Sequence, residues 1–192
     1  LIKYQKDIND NLFYAELRKE VKDYFSKHKK KNYGNWFMVT KTIFIFLLFF
    51  GSYALLISNS FSPTITLLLG IICGVSTILI VFNIAHDASH NCLFQNRKLN
   101  KILTYSFDLV GGNAYVWDIL HNQIHHAYVN VAEIDPDRYQ PAPYIRVSTS
   151  DPFKPYHRYQ HLYATALYLT HSIYHIFMKD FEVFRILPTK SY

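Results

Sequence analysis

The chain has 192 residues, a formal charge of +6 and a hydrophobic fraction of 50%, which suits one domain of ordinary size or one part of a larger protein. Its two cysteines exclude a disulfide framework or a cysteine-rich zinc site. The basic residues are densest in the run KHKKK at residues 27–31, shortly before an apolar segment. This order favours a membrane surface over nucleic acid as the partner of the positive charge.

The first predicted element is an amphipathic helix over residues 9–25. Leu12, Leu17 and Val21 recur close to helical spacing, and Asn and Asp side chains that can cap a helix precede them. We expect its apolar face to pack on the protein or on lipid headgroups. Residues 1–35 are therefore interpreted as an amphipathic cytoplasmic segment.

The next element is a predicted transmembrane hairpin over residues 36–85. Residues 42–86 contain no Asp, Glu, Lys or Arg, and one bilayer crossing needs about 20 helical residues. Small polar residues and a proline in SNSFSP, residues 58–63, mark the turn. The pattern predicts helices at 36–57 and 64–85, and the alternative is a buried hairpin of a soluble protein.

The hairpin returns the chain to the compartment that it left. Because cytoplasmic loops carry an excess of Lys and Arg, the lysine run places both hairpin ends in the cytoplasm. Residues 86–159 are polar and mixed, which predicts a cytoplasmic cap of short helices. The pattern of residues 160–178 predicts an interfacial helix, and the alternative is a third membrane helix. Residues 179–192 are interpreted as a truncated tail. The expected fold class is thus all-α, an integral membrane helical protein.

Two histidine clusters, HDASH and HNQIHH, follow the hairpin. Residues four apart share one face of an α-helix, so His86 with His90 and His121 with His125 can each offer two imidazoles to one side. His126 lies roughly 100° further round an α-helix and could face a second metal ion. Imidazole suits iron, copper, nickel and zinc.

The histidines also have structural interpretations. HDASH alone also fits a helix cap or a headgroup contact, whereas two clusters on one predicted membrane face favour metal. Two further pairs at the same interval, His157 with His161 and His171 with His175, are interpreted as structural or interfacial.

The order of these motifs resembles a known family. HDASH after a transmembrane hairpin, then HNQIHHAYVN and EIDPD, resembles the first two histidine boxes of the membrane-bound fatty acid desaturases. The resemblance extends to FYAELRKEVKDYF, VGGNAYVWDILHNQIHH and HRYQHLYA, and is strongest to bacterial acyl-lipid or acyl-CoA desaturases related to linoleoyl-CoA desaturase. It implies an oxidoreductase that uses O2 to introduce a C=C bond into an acyl chain.

The resemblance also implies a site, with two non-haem iron ions as cofactors and O2 as co-substrate. The implied iron ligands are His86, His90, His121, His125 and His126. The side chains implied to orient these imidazoles are Asp87, Asn122, Asn130 and Asp135.

The implied partners are an acyl-CoA or acyl-lipid substrate, the lipid bilayer and an electron donor. No HPGG haem-binding signature occurs in these residues, so we expect a separate cytochrome b5 or ferredoxin as the donor. The family's third box, Gln-x-x-His-His, and a second pair of membrane helices are also absent. We therefore expect a fragment of a four-span fold that by itself lacks activity and holds iron poorly.

Two alternatives stay open at this point. The boxes do not separate desaturation from hydroxylation by a di-iron membrane hydroxylase of the same superfamily. A non-catalytic membrane protein that binds haem or another metal through histidines is the alternative from another class.

Overall fold

The computed structural model describes residues 8–131, 134–139 and 144–186 and contains helices but no strand within these ranges. The α-helices in chain order are α1 (Ile8–Lys27), α2 (Trp36–Ile57), α3 (Pro63–Ile80), α4 (His86–Ser89), α5 (Arg97–Thr104), α6 (Ser106–Leu109), α7 (Ala114–Trp117), α8 (Pro136–Tyr139), α9 (Gln160–Tyr174) and α10 (Asp180–Ile186). The all-helical prediction is confirmed for the described residues. The outer parts of the predicted 1–35 and 179–192 segments, residues 1–7 and 187–192, lie outside them.

The predicted hairpin is present as two long helices. Helix α2 has the predicted bounds, whereas α3 begins at Pro63, a residue that suits the first turn of a helix. A π-helical turn, Val81–Ala85, joins α3 to α4, and the helix continues to Ser89, so the first histidine cluster lies at its end. Both Trp36–Ile57 and Pro63–Ser89 are long and apolar enough to cross a membrane.

Most of the hairpin surface is apolar and exposed. Phe44, Leu47 and Leu67 each expose more than three fifths of their surface, at 61%, 66% and 66%. Polar side chains on the same helices bond to their own backbone, as when Ser76 Oγ donates to Ile72 O at 2.7 Å. Such internal satisfaction is what a helix in hydrocarbon requires, so the two helices are suited to a bilayer.

One polar contact joins the two long helices. Lys41 Nζ in α2 donates a hydrogen bond to Asn83 Oδ1 at 3.1 Å, and Asn83 lies in the π-helical turn just before His86. The contact therefore fixes the hairpin near the point where the first histidine cluster begins.

The core lies beneath the histidine clusters. Ile80, Ile84 and Ala88, spaced four apart, are buried against Ile45 and Leu93, which leaves the opposite side of α4 to carry histidines.

A second buried group joins the segments that carry the two clusters. Ala85 and Ala114, which lie in the helical segments before the two clusters, both pack on Phe107. The core thus brings together histidines that are more than thirty positions apart in the chain.

The connection between α1 and α2 packs on the loop after the first cluster. Gly34 N–H donates to Cys92 O at 2.7 Å, and a Cβ on Gly34 would lie 2.6 Å from Leu93 O. Only glycine permits this close approach. In α1 itself, Leu12, Phe13 and Leu17 are exposed, so its apolar face does not pack on the described protein.

Candidate metal centre

The first histidine cluster lies at the end of the second long helix. His86 begins α4 and His90 follows its last residue, and their ring centroids are 4.7 Å apart. The π-helical turn before them carries a hydrogen bond from His86 N–H to Val81 O. Such turns within helices occur frequently at functional sites.

The second cluster lies on a π-helix, Asp118–His125, and the α-helical geometry expected for it was wrong. His126 N–H donates to His121 O at 3.1 Å, and this spacing of five residues is the hydrogen-bond pattern of a π-helix. His126 therefore lies over His121, with ring centroids 4.6 Å apart, closer than the 5.3 Å between His121 and His125. His126 turns toward the first cluster, not away from it.

The two clusters meet. His86, His90 and His121 each present a ring nitrogen, and these atoms all lie within 4.8 Å of one another. His126 lies next to this group, with its Nε2 3.3 Å from Nε2 of His90. Two nitrogen ligands of one ion, with bonds of about 2.0–2.1 Å, lie roughly 3 Å apart, so this set of donors could hold a metal ion.

The state of His121 also fits a metal ligand. Its Nε2 is buried and has no hydrogen-bond partner among the described residues. Burial, followed by repulsion from His126 and His86, lowers the pKa of His121 to about 4. Burial and the same two neighbours lower the pKa of His90. Neutral imidazole is the form that binds metal.

A carboxylate orients His125. Its Nδ1 lies 2.9 Å from Asp135 Oδ1, and Asp135 is nearly fully buried. Burial alone would raise the pKa of Asp135, but hydrogen bonds from His125 and from the N–H groups of Asn130 and Asp137 outweigh it and lower that pKa. An ionised carboxylate on Nδ1 leaves Nε2 of the same ring for a metal, an arrangement that recurs at metal sites.

Of the other residues expected to orient the imidazoles, Asp87 contacts a histidine ring, whereas Asn122 and Asn130 bond to aspartate carboxylates. Asp87 Oδ1 lies 3.3 Å from His86 Nδ1, as a carboxylate that orients an imidazole would. Asn122 donates to Asp118 Oδ1 at 2.8 Å, and Asn130 donates its backbone N–H to Asp135 Oδ2 at 2.7 Å.

Of the two further histidine pairs, His157 and His161 have described side chains. His157 Nδ1 accepts a hydrogen bond from Lys154 N–H at 3.1 Å, which is a local structural contact. His161 is exposed on α9. The side chains of His171 and His175 lie outside the part of the chain that the structure describes.

Sequence reasoning missed two neighbours of the site. Trp117 stacks on His121, with ring centroids 4.3 Å apart, and its spacing of four residues from that histidine could have indicated the contact. Asp137 Oδ2 lies 3.4 Å from His125 Nδ1, and it belongs to the EIDPD stretch that contains Asp135. His121, His125 and Asp137 form a second group that could hold a metal.

The chain is similar to proteins of known activity. A sequence profile of fatty acid desaturases matches residues 62–191, which includes both clusters. The chain is 32% identical over 176 residues to the acyl-lipid (8-3)-desaturase of Physcomitrium patens, covering 91% of this chain and 37% of that protein. It is 31% identical over 160 residues to the sn-1 linoleoyl-lipid 6-desaturase of Synechocystis, covering 82% and 44%.

The chain spans about two fifths of the length of these curated relatives, and no solved structure matches it. The profile match covers more than half of the chain and contains both histidine clusters, whose side chains converge in the structure. The chain therefore belongs to the fatty acid desaturase family.

Proposed function

We propose that this chain supplies part of the di-iron site of a membrane-bound desaturase, which introduces a C=C bond into an acyl chain. The convergence of His86, His90 and His121 on one small volume, within a chain of the desaturase family, supports this proposal most directly. The names of the curated relatives, all of them desaturases, favour desaturation over hydroxylation.

In this mechanism the five box histidines hold the metal. Bound iron would supply the activation of O2 that is needed because side chains offer no acid, base or electrophile suited to an unactivated C–H bond. The chain's own residues keep His121 neutral by burial and orient His125 through Asp135. Trp117 covers one face of His121 and keeps water from that side of the ring.

We place the hairpin across the bilayer, with the metal site at its cytoplasmic end. The lysine run before α2 and the loss of apolar character after Ser89 support this orientation. In the same arrangement residues 86–159 form the cap, residues 1–35 lie on its cytoplasmic side and residues 160–178 lie at the interface. An acyl chain could then reach the site from the bilayer while its polar head stays in water.

The proposed partners follow from the same arrangement. The substrate is an acyl-lipid or acyl-CoA, O2 is the co-substrate, and reducing electrons come from a separate cytochrome b5 or ferredoxin. Acyl lipid is the substrate class named in the relatives from Physcomitrium and Synechocystis.

The test is to express the complete reading frame that encodes this chain in yeast and to analyse the acyl chains of its lipids by mass spectrometry. We expect new unsaturated acyl chains that are absent from cells with the empty vector. The His121→Ala variant should abolish them, because it removes a ligand shared by both candidate metal groups.

The matched control is His161→Ala, which changes an exposed histidine away from the clusters and should leave the product level unchanged. Hydroxylated chains in place of unsaturated ones would overturn the choice of reaction. Unchanged desaturation in the His121→Ala strain would overturn the assignment of the site.

A further inference from the structure

A cavity of about 480 Å³ lies beside the metal centre. Ala88 and Ser89, the residues between His86 and His90, line one wall, and Tyr115 of α7 lines another. The cavity therefore lies behind the helical segment that carries the first cluster. Its volume is within the range of about 300–1,000 Å³ that is usual for small-molecule sites.

Two exposed cations line this cavity. Arg97 and Lys101 are four apart on α5 and so lie on one side of that helix. Among the described residues, neither side chain donates a hydrogen bond or lies in an ion pair. Unpaired Arg and Lys side chains in a cavity are suited to a phosphate group.

One carboxylate, that of Asp118, lines the cavity, and both of its oxygens already accept hydrogen bonds from other side chains. Asp118 Oδ1 accepts from Asn122 at 2.8 Å, and Asp118 Oδ2 accepts from Gln123 at 2.9 Å. The cavity lining thus combines two cations with one carboxylate that is hydrogen-bonded to other residues. Tyr105 and Tyr115 also line the cavity, and their hydroxyls can donate hydrogen bonds to an anion.

The surroundings indicate a lipid. Ile102 and Tyr105, which neighbour Lys101 along the chain, expose 64% and 55% of their surface. Ala88 and Ser89 end the second candidate span, Pro63–Ser89, so the cavity lies at the depth of the headgroups in the proposed orientation. Basic pockets at the cytoplasmic ends of membrane helices are suited to lipid headgroups.

From these observations we infer that Arg97 and Lys101 bind the headgroup phosphate of a membrane phospholipid beside the metal centre. This inference rests on the proposed function, because it takes the bound lipid to be the acyl substrate. The acyl carrier is then a phospholipid and not a soluble acyl-CoA. Holding the headgroup here keeps the acyl chain of the same lipid next to the hairpin.

The test measures binding without turnover or metal. The chain is purified in detergent with equal amounts of phosphatidylcholine and digalactosyldiacylglycerol that carry the same acyl chains, and the retained lipids are counted by native mass spectrometry. We expect preferential retention of phosphatidylcholine. The double variant Arg97→Gln/Lys101→Gln should remove this preference, so that phosphatidylcholine and the galactolipid are retained in equal amounts.

The matched control is Lys98→Gln, which removes a charge from the same helix but outside the cavity and should leave that preference unchanged. An equal loss in the control, or no loss in the double variant, would overturn the inference. Displacement of phosphatidylcholine by added coenzyme A would also overturn it, in favour of a soluble carrier.

A His121→Ala protein separates this inference from the proposed function. It should lose the metal but retain the preference for phosphatidylcholine, because His121 does not line the cavity. The double cavity variant should bind metal as the unaltered chain does, which also shows that it is folded.

Discussion

His90 and His126 face each other across 36 positions of sequence, with their Nε2 atoms 3.3 Å apart. His90 follows the last residue of the second long helix and His126 follows a π-helix, so the contact depends on the packing of both segments. Two imidazole nitrogens at this separation can bind one ion, which makes the pair a test of the proposed metal centre.

The His126→Ala variant should lower metal affinity by more than about 100-fold, above the range of 10 to 100-fold typical of residues that only orient ligands. Affinity can be read from the fluorescence of Trp117, which stacks on His121, as Co²⁺ is added. Because the chain has two tryptophans, a Trp36→Phe background isolates this signal. Unchanged affinity would show that His126 does not bind the ion, and His161→Ala serves as the control.

Asp135 should matter more for metal binding than Asp137. Asp135 lies closer to His125 Nδ1 than Asp137 does, at 2.9 Å against 3.4 Å, and its side chain is far more buried. We expect Asp135→Ala to lower metal affinity about 10 to 100-fold, Asp135→Asn to lower it less, and Asp137→Ala to have a small effect. Competition with a chelator measures all three.

The reverse order of these effects would assign the metal to the group of His121, His125 and Asp137. In that group His125 Nδ1 is already engaged by Asp135. For this reason we favour binding by the five box histidines, with Nε2 of His125 as its ligand atom.

The Lys41 to Asn83 hydrogen bond should stabilise the hairpin. Hydrogen bonds to charged groups contribute about 1.5–3 kcal/mol, so Lys41→Met and Asn83→Leu should each destabilise the chain, while the double variant should lose less than their sum. Unfolding in increasing SDS measures the coupling. The control Thr40→Ala removes a hydroxyl that bonds within its own helix and should show no coupling to Asn83.

The metal-free chain should lose stability in acid. Because burial and the neighbouring histidines lower the pKa of His121 from 6.5 to about 4, the unfolded chain takes up a proton at this residue before the folded chain does. The stability that depends on neutral His121 is therefore present above pH 6.5 and falls as the pH drops to about 4.

An NMR titration of the histidine ring protons measures this directly. His126→Ala should raise the pKa of His121 only part of the way toward 6.5, because burial is the larger cause. Protonation of His121 near 6.5 in the unaltered chain would contradict the buried geometry.

The local pattern of residues was enough to predict the helices and the candidate ligands. An uncharged segment of sufficient length, a turn with proline and the helical spacing of Leu12 and Leu17 are properties of neighbouring residues, and α1 to α3 follow from them. The two histidine clusters were likewise visible as motifs, and they indicated the family that the profile match shows.

The arrangement of the site depended on packing between distant residues. An interval of four residues predicts a shared face only if the helix is α-helical, and the π-helix at Asp118–His125 instead turned His126 toward His90. That approach also depends on the packing of Ala85 and Ala114 on Phe107, and a single sequence does not reveal which distant residues pack together. The cavity that contains Arg97 and Lys101 was hidden for the same reason, because its walls come from segments whose contacts form only in the folded chain.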